Sequence, residues 1–231
     1  MAARWPKSKL VTNGKIQPGN VIVGISSSGK STYETSYNSG LGSNGLTSAR
    51  HDVLSKKYAA NFKESFDNSL DEEVVYIGPH QLSDIVEIKE YPSETVGKLV
   101  LSPTRTYAPF MKPLLEQHFD DIHGLIHCSG GGQTKCMKYL PGNFRIIKDN
   151  LFEPPVIFKI IQQASGSDNR EMYQVFNMGH RLEIFTTAAA AADIIGLSQS
   201  FEMDAQVVGR VEAYHKKELV LKVTGEEILY V

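Results

Sequence analysis

A histidine, a serine and three glycines that are suited to chemistry stand together in the string His127-Cys128-Ser129-Gly130-Gly131-Gly132. Consecutive glycines let a backbone approach a ligand closely and turn its N–H groups inward. A helix predicted to start near Gln133 adds a partial positive charge, which favours an anion such as phosphate. His127 is suited to proton transfer or to stabilising a developing charge. The alternative interpretation is a tight strand-to-helix turn with a packed histidine.

A second glycine-containing string, from Gly24 to Ser31, formally satisfies the phosphate-loop pattern G-x-x-x-x-G-K-S after a predicted strand. In that motif a helix follows at once, whereas residues 32–45 are rich in Ser, Gly, Asn and Tyr and are poorly helical. No apolar strand ending in Asp stands out as the magnesium-binding partner. We therefore interpret the match as accidental.

Two further polar segments follow predicted turns or strands. In the string 41–45, Ser43 or Asn44 is suited to capping the helix predicted from Leu46, and Asn44 can instead present its amide to a polar ligand. In the string 102–107, Thr104 and Arg105 follow a predicted strand, and an arginine there can bind a carboxylate or phosphate. Spacing alone favours the helix cap for the first segment and a surface arginine in a helix-entry loop for the second.

Two cysteines, Cys128 and Cys136, flank the glycine-rich string. Nothing near them resembles a disulfide framework, and two free thiols suit a reducing cytosol. A four-ligand zinc site needs more Cys or His at ligand spacing than this region offers. Alternation along a strand is the simpler reason for the spacing of His123 and His127.

The elements that would position these residues alternate between strands and helices. Apolar runs predict strands at 21–25, 98–101, 122–127, 144–147, 206–213, 218–223 and 227–231, and the polar–apolar alternation at 180–185 predicts a half-buried strand. Helical spacing predicts helices at 46–58, 108–119, 155–163, 169–176 and 188–195, with another beginning near Gln133. A long loop covers 26–45, and 61–95 is unassigned polar sequence. This order predicts one α/β domain, a sandwich of helices on a mixed sheet.

The composition is that of an ordinary soluble globular domain. The chain has 231 residues, of which 41% are hydrophobic and 22% charged, enough to bury a sizeable core. Lys and Arg number 24 against 26 Asp and Glu, so the net charge of -2 argues against a bulk electrostatic nucleic-acid binder. No run of about 20 apolar residues predicts a membrane span. The segment 1–7 lacks the apolar core of a signal peptide.

Six strings resemble motifs of one family and occur in the same order as in that family. The family is aminoimidazole ribonucleotide synthetase, also called phosphoribosylformylglycinamidine cyclo-ligase. The strings lie at 19–24, 42–45, 101–107, 124–132, 171–179 and 208–211. They cover nearly the whole chain but resemble only the C-terminal half of that enzyme. The acidic, glycine-rich signatures of the ATP-binding N-terminal half are missing here. The resemblance also argues further against a phosphate loop at Gly24 to Ser31.

The resemblance implies an α/β fold with a mixed sheet and an ATP- and magnesium-dependent ring closure in cytoplasmic purine biosynthesis. His127 would be the catalytic residue, and Ser129 with Gly130, Gly131 and Gly132 would hold a phosphate. Asn44, Thr104 and Arg105 would bind the ribonucleotide substrate, formylglycinamidine ribonucleotide. ATP and Mg²⁺ would be bound mainly by an N-terminal half, without which this chain would be inactive. The complete enzyme would be a homodimer, with neither nucleic acid nor membrane as a partner.

The same resemblance divides the chain into a junction segment, 1–18, and a C-terminal domain, 19–231. Insertions relative to the common pattern are expected near 28–41 and 55–95. His180-Arg181 is a departure, because small or apolar residues commonly follow Asn-Met-Gly in the family.

Other functions stay open at this point. One is a non-catalytic binding or assembly module that kept the fold. Another is a different member of the same ATP-dependent superfamily, such as a thiamine-phosphate kinase or a selenophosphate synthetase, although the Pro-Thr-Arg and Glu-Met-Tyr strings argue against it. An independent nucleotidase using Lys30 is the most remote.

Overall fold

Seven strands form one mixed sheet in the computed structural model, which describes residues 6–231. In spatial order they are β4, β6, β1, β7, β5, β8 and β9. Their bounds are β1 Val21–Ser26, β4 Gly124–His127, β5 Phe144–Lys148, β6 His180–Thr186, β7 Ala205–Ala213, β8 Glu218–Val223 and β9 Glu226–Tyr230. β5 and β8 pair in parallel and the other neighbours pair antiparallel. The predicted α/β fold with a mixed sheet is confirmed.

Helices cover both faces of this sheet. Their bounds are α1 Leu46–Val53, α2 Lys57–Asn61, α3 Val96–Val100, α4 Ala108–Gln117, α5 Val156–Ser165, α6 Asn169–Val175 and α7 Ala188–Gln199. Successive strand side chains point to opposite faces. Ile22 accordingly packs in one core cluster with α1, α3, α5 and α6, and its neighbour Val23 packs in the other with α4 and α7. In residues 6–231 no helix has the length and apolar character of a membrane span. The first five residues of the N-terminal segment lie outside the described part of the chain.

The strand predicted at 98–101 is wrong, because α3 occupies Val96–Val100. The Thr95 hydroxyl caps this helix by accepting a hydrogen bond from the Lys98 N–H at 3.3 Å. Val96, Leu99 and Val100 are buried at helical spacing, and Leu101 is 77% exposed. A short apolar run does not by itself distinguish a strand from a buried helical turn.

Three other predictions need correction. The helix predicted at 46–58 is two helices, α1 and α2. The helix predicted near Gln133 is a 3-10 helix, Gly132–Tyr139. β6 is buried over its whole length instead of half-buried, because helices cover both faces and its polar residues pair inside the protein.

The polar stretch that sequence left unassigned forms short surface elements. It follows α2 and contains two 3-10 turns, at Lys63–Ser65 and Glu72–Val74, and the strands β2 Ile85–Ile88 and β3 Tyr91–Thr95. Within the described residues, β2 and β3 pair with each other and with no strand of the main sheet. That this stretch is an insertion relative to the family stays a prediction.

Candidate functional site

A cavity of about 120 Å³, here called the small cavity, lies where β4 ends and β6 begins. These ends adjoin because the strands are antiparallel and His127 pairs with Leu182. The lining residues are Leu41, Ser43, Asn44, Thr104, His127, Cys128, Ser129, Val175, Phe176, Asn177 and Arg181. The fold thus brings together four residues singled out from the sequence, Asn44, Thr104, His127 and Ser129.

The glycine turn, residues 129–132, has a backbone that other residues rarely adopt. Gly130, Gly131 and Gly132 have φ values of 47°, 101° and 46°. A Cβ on Gly132 would lie 2.5 Å from the carbonyl oxygens of Tyr173 and Phe176, so only glycine fits against the end of α6. Within residues 6–231, the N–H groups of Gly130 and Gly131 donate no hydrogen bond. They are free to bind an anion.

His127 lies beside this turn as an exposed residue. Its Nδ1 is 3.0 Å from the Ser129 hydroxyl oxygen, and its ring packs edge-on against Tyr107. Partial desolvation of the ring lowers the pKa of His127, and the charges of Arg181 and Lys135 lower it further. The imidazole is therefore neutral at pH 7. It can accept a proton from one group or donate its own N–H to another.

Asn44 and Thr104 contribute polar groups from two different loops. Asn44 donates to the Val175 carbonyl at 3.2 Å, and its Oδ1 would be 3.4 Å from a Cβ built on Gly130. The Thr104 hydroxyl accepts a hydrogen bond from the Ser43 N–H at 3.1 Å. The helix-capping interpretation of Ser43 and Asn44 is wrong, since Gly45 is the N-cap of α1 and no side chain caps that helix.

Arg105 does not line the small cavity but lines a larger groove that shares His127 with it. Its side chain is fully buried and forms a double hydrogen bond with the Glu34 carboxylate, at 3.0 and 2.6 Å. Its third nitrogen donates to the carbonyl oxygens of Ser26 and Ser28. The interpretation as a surface arginine is therefore wrong. Arg105 holds the loop that follows β1, and every guanidinium nitrogen has a protein partner.

The string that matches a phosphate loop does not have that structure. Gly29 and Asn38 pair through two backbone hydrogen bonds of 3.0 and 2.8 Å. Ser31 is buried and donates to the Glu34 carboxylate through its N–H and its hydroxyl. No helix occurs between β1 and Leu46 in the described chain. This geometry favours the interpretation of the match as accidental.

Arg181, whose role sequence reasoning missed, also lines the small cavity. It is 2% exposed, and its Nη2 donates to the Gly40 carbonyl. Its Nη1 is buried and has no hydrogen-bond partner among the described residues. The departure from the family pattern after Asn-Met-Gly was the available signal.

A buried charge cluster of Lys148, His180 and Glu183 lies behind the cavity. Burial alone would raise the pKa of Glu183, but the Lys148 ammonium and the His180 ring hold it at about 2. Cys128, His180 and Glu183 also bring possible metal-ligand atoms within 4.8 Å of one another. However, Lys148 neutralises the carboxylate, and burial raises the pKa of the Cys128 thiol. The cluster fits an internal ion pair better than a cation site.

A wide groove of about 960 Å³ adjoins the small cavity, and His127 lines both. Its apolar lining includes Tyr107, Met111, Leu115, Phe119 and Leu182. Pockets of several hundred cubic ångströms accommodate whole small molecules. The imidazole of His127 is thus positioned between a small polar recess and a larger apolar one.

Comparison with known proteins supplies a family and several relatives. The sequence model described as AIR synthase related protein, C-terminal domain, matches residues 17–222. Phosphoribosylformylglycinamidine cyclo-ligase of Methanopyrus kandleri is 29% identical over 219 residues, covering 94% of this chain and 50% of that protein. The enzyme of that name from Methanocaldococcus jannaschii is 31% identical over 208 residues, covering 89% of this chain and 48% of its own length. The chain spans about half the length of the curated relatives it matches.

The fold is also similar to that of solved structures. E. coli HypE aligns with 95% of this chain and 51% of its own, at 14% sequence identity and a TM-score of 0.49.

Proposed function

The chain belongs to the family of the AIR synthase related protein, C-terminal domain, and from this premise we propose that it is the substrate-binding half of an ATP-dependent phosphoribosylformylglycinamidine cyclo-ligase. Its reaction would close the imidazole ring of formylglycinamidine ribonucleotide. The observation that carries the proposal is the small cavity, where a neutral histidine meets Ser129 of the glycine turn and the polar side chains of Asn44 and Thr104.

The ring closure needs proton transfer and stabilisation of negative charge. The substrate amide oxygen would be phosphorylated by ATP, which leaves ADP. A nitrogen would then attack the activated carbon and lose a proton, and the C–O bond would break with the oxygen leaving as phosphate. His127 is neutral at pH 7 and exposed beside the cavity, so it is our candidate for moving that proton. The free N–H groups of Gly130 and Gly131 would hold a phosphate oxygen.

The residues of the small cavity do not fit a magnesium ion. No carboxylate lines it within residues 6–231, and Mg²⁺ is usually bound through carboxylate oxygens and phosphates. We therefore assign ATP and Mg²⁺ to an N-terminal half of the cyclo-ligase type, and the complete enzyme would be a homodimer. Two buried free thiols are consistent with a cytoplasmic location.

The test is reconstitution of turnover from two halves. This chain is mixed with the separately produced N-terminal half of a cyclo-ligase relative, ATP, Mg²⁺ and formylglycinamidine ribonucleotide, and formation of aminoimidazole ribonucleotide is measured. We expect turnover only when both halves are present. His127→Ala should lower it by about 10²–10⁴-fold, the usual contribution of a general acid or base.

The matched control is His215→Ala, since His215 is exposed between β7 and β8. That variant should turn over like the wild type. Turnover by the chain alone would contradict the assignment of ATP to another half. Unchanged turnover in His127→Ala would instead favour a binding or assembly module.

A further inference from the structure

Arg181 is a buried cation that has no ionic partner among residues 6–231. The side chain is 2% exposed, and the carbonyl oxygen of Gly40 is the hydrogen-bond acceptor of Nη2. Nη1 is buried without any partner in the described chain. Arginine stays protonated in proteins, and an unpaired buried charge is strongly unfavourable. Arg181 therefore needs a negatively charged partner, and the small cavity that it lines has room for one.

The nearby carboxylates cannot supply that negative charge. Glu34 is bound to Arg105, and Glu183 is bound to Lys148 and His180. No Asp or Glu lines the small cavity in the part of the chain that the structure describes. The small cavity is therefore a recess of positive potential.

Neutral donors surround the same recess. The hydroxyl groups of Ser129 and Thr104 and the amide of Asn44 line it. The backbone N–H groups of Gly130 and Gly131, which donate no hydrogen bond within residues 6–231, follow Ser129 directly in the chain. A volume of about 120 Å³ is well below the roughly 300–1,000 Å³ that holds a whole drug-sized ligand. The recess therefore suits one compact anionic group.

We propose that Arg181 anchors a phosphate monoester in the small cavity, with the rest of the ligand passing His127 into the wide groove. His127 lines both spaces, so a ligand bound in this way places its sugar and the group attached to the sugar next to the imidazole. A planar guanidinium binds phosphate through two parallel hydrogen bonds. The inference deepens the proposed function and rests on it for the identity of the ligand as a ribonucleotide. The anion site itself follows from the unpaired guanidinium.

The probes are inorganic phosphate and ribose 5-phosphate, titrated calorimetrically into the 231-residue chain at constant ionic strength, with chloride and ribose as blanks. We expect saturable binding of both phosphates and no saturable binding of ribose. Tighter binding of ribose 5-phosphate would favour a monoester over free phosphate. No saturable phosphate binding by the wild-type chain would overturn the inference.

Arg181→Met should weaken phosphate binding at least tenfold. Arg170→Met is the matched control, because Arg170 is exposed and stacks on Tyr230, and it should bind like the wild type. Unchanged binding by a folded Arg181→Met variant would overturn the inference.

Asn44→Asp is a second variant that leaves Arg181 in place. It puts a carboxylate into the same cavity, so it should abolish phosphate binding. Because it also removes the hydrogen bond that the Asn44 amide donates to the Val175 carbonyl, phosphate affinity and not stability is the readout. Asn68→Asp makes the same change at an exposed position and should leave phosphate binding unchanged. Wild-type phosphate affinity in Asn44→Asp would contradict the proposed site.

The two proposals fail in different ways. Phosphate binding that depends on Arg181, without turnover in the reconstituted enzyme, would retain the anion site and reject the cyclo-ligase function. Reconstituted turnover with an unchanged KM in Arg181→Met would retain the function and reject Arg181 as the anchor.

Discussion

Gly42 leaves the space that the guanidinium of Arg181 occupies: a Cβ built on Gly42 would lie 2.6 Å from Nη2 and 2.9 Å from Cζ. The φ of Gly42 is 65°, a left-handed conformation that other residues adopt at a cost. Because Gly42 has no side chain, the loop after β1 can pack against Arg181 at the start of β6.

Gly42→Ala should therefore displace Arg181 and weaken phosphate binding as well as stability. Gly166→Ala is the matched control, because φ is 73° there and nothing lies within 4 Å of the new Cβ. Left-handed strain alone costs about 1–2 kcal/mol, so urea unfolding should show a larger loss for Gly42→Ala than for Gly166→Ala. Equal losses and equal phosphate affinities would mean that Arg181 does not depend on Gly42.

Glu34→Gln should destabilise the protein strongly. Glu34 neutralises Arg105, whose side chain is fully buried, and breaking a buried ion pair from one side costs about 3–5 kcal/mol. Glu153→Gln removes a carboxylate from an exposed pair with Lys159, so stability should change little, because solvent screens an exposed ion pair. Urea unfolding measures both. A loss below about 1 kcal/mol in Glu34→Gln would show that the pair does not hold the loop after β1.

Acidification below pH 6.5 should destabilise the fold through His180. Burial lowers the pKa of His180, with Lys148 acting in the same direction and Glu183 opposing. The unfolded chain then binds more protons than the folded one below pH 6.5. The free energy of unfolding therefore decreases as the pH is lowered, by up to about 1.4 kcal/mol per pH unit.

This pH dependence can be assigned to its residue by substitution. The free energy of unfolding, measured between pH 7.5 and 5, should fall less steeply in His180→Gln than in the wild type. The exposed variant His215→Gln should retain the wild-type slope. An unchanged slope in His180→Gln would show that His180 does not titrate on unfolding.

The two thiols should be unreactive in the folded protein. Cys128 and Cys136 are 1% and 0% exposed. Burial raises the pKa of Cys136 to about 12 and the pKa of Cys128 well above its usual value, so little reactive thiolate is present at pH 8. Iodoacetamide labelling followed by mass spectrometry should modify neither thiol natively and both in urea. Rapid native labelling of Cys128 would show that the small cavity opens to solvent.

Hydrophobic patterning predicted most of the sheet, because a buried strand is a short run of apolar residues with a turn at each end. The runs at 21–25 and 144–147 lie within β1 and β5. The run at 98–101 was misleading because α3 is a short helix with buried apolar residues, and a short apolar run does not distinguish a strand from a buried helical turn. Sequence distance also hides pairs such as Arg105 with Glu34, which only the fold brings together.

The site was predictable only in part. The glycine turn and His127 have a local signal, since glycines after an apolar strand form a tight turn in most folds. Arg181 has only its departure from the family pattern as a signal, because a charged residue in a strand is usually exposed, and the close approach to Gly42 and Gly40 explains its burial. The roles of these residues in binding and catalysis stay predictions.

The central claim is that this chain binds the ribonucleotide and leaves ATP to another half. Calorimetric titration with formylglycinamidine ribonucleotide, and separately with Mg–ATP, tests it most directly. We predict saturable binding of the ribonucleotide that Arg181→Met weakens at least tenfold, and no saturable binding of Mg–ATP. Mg–ATP binding that Lys30→Ala abolishes, with no response to the ribonucleotide, would contradict the account and move the site to the Gly-Lys-Ser string.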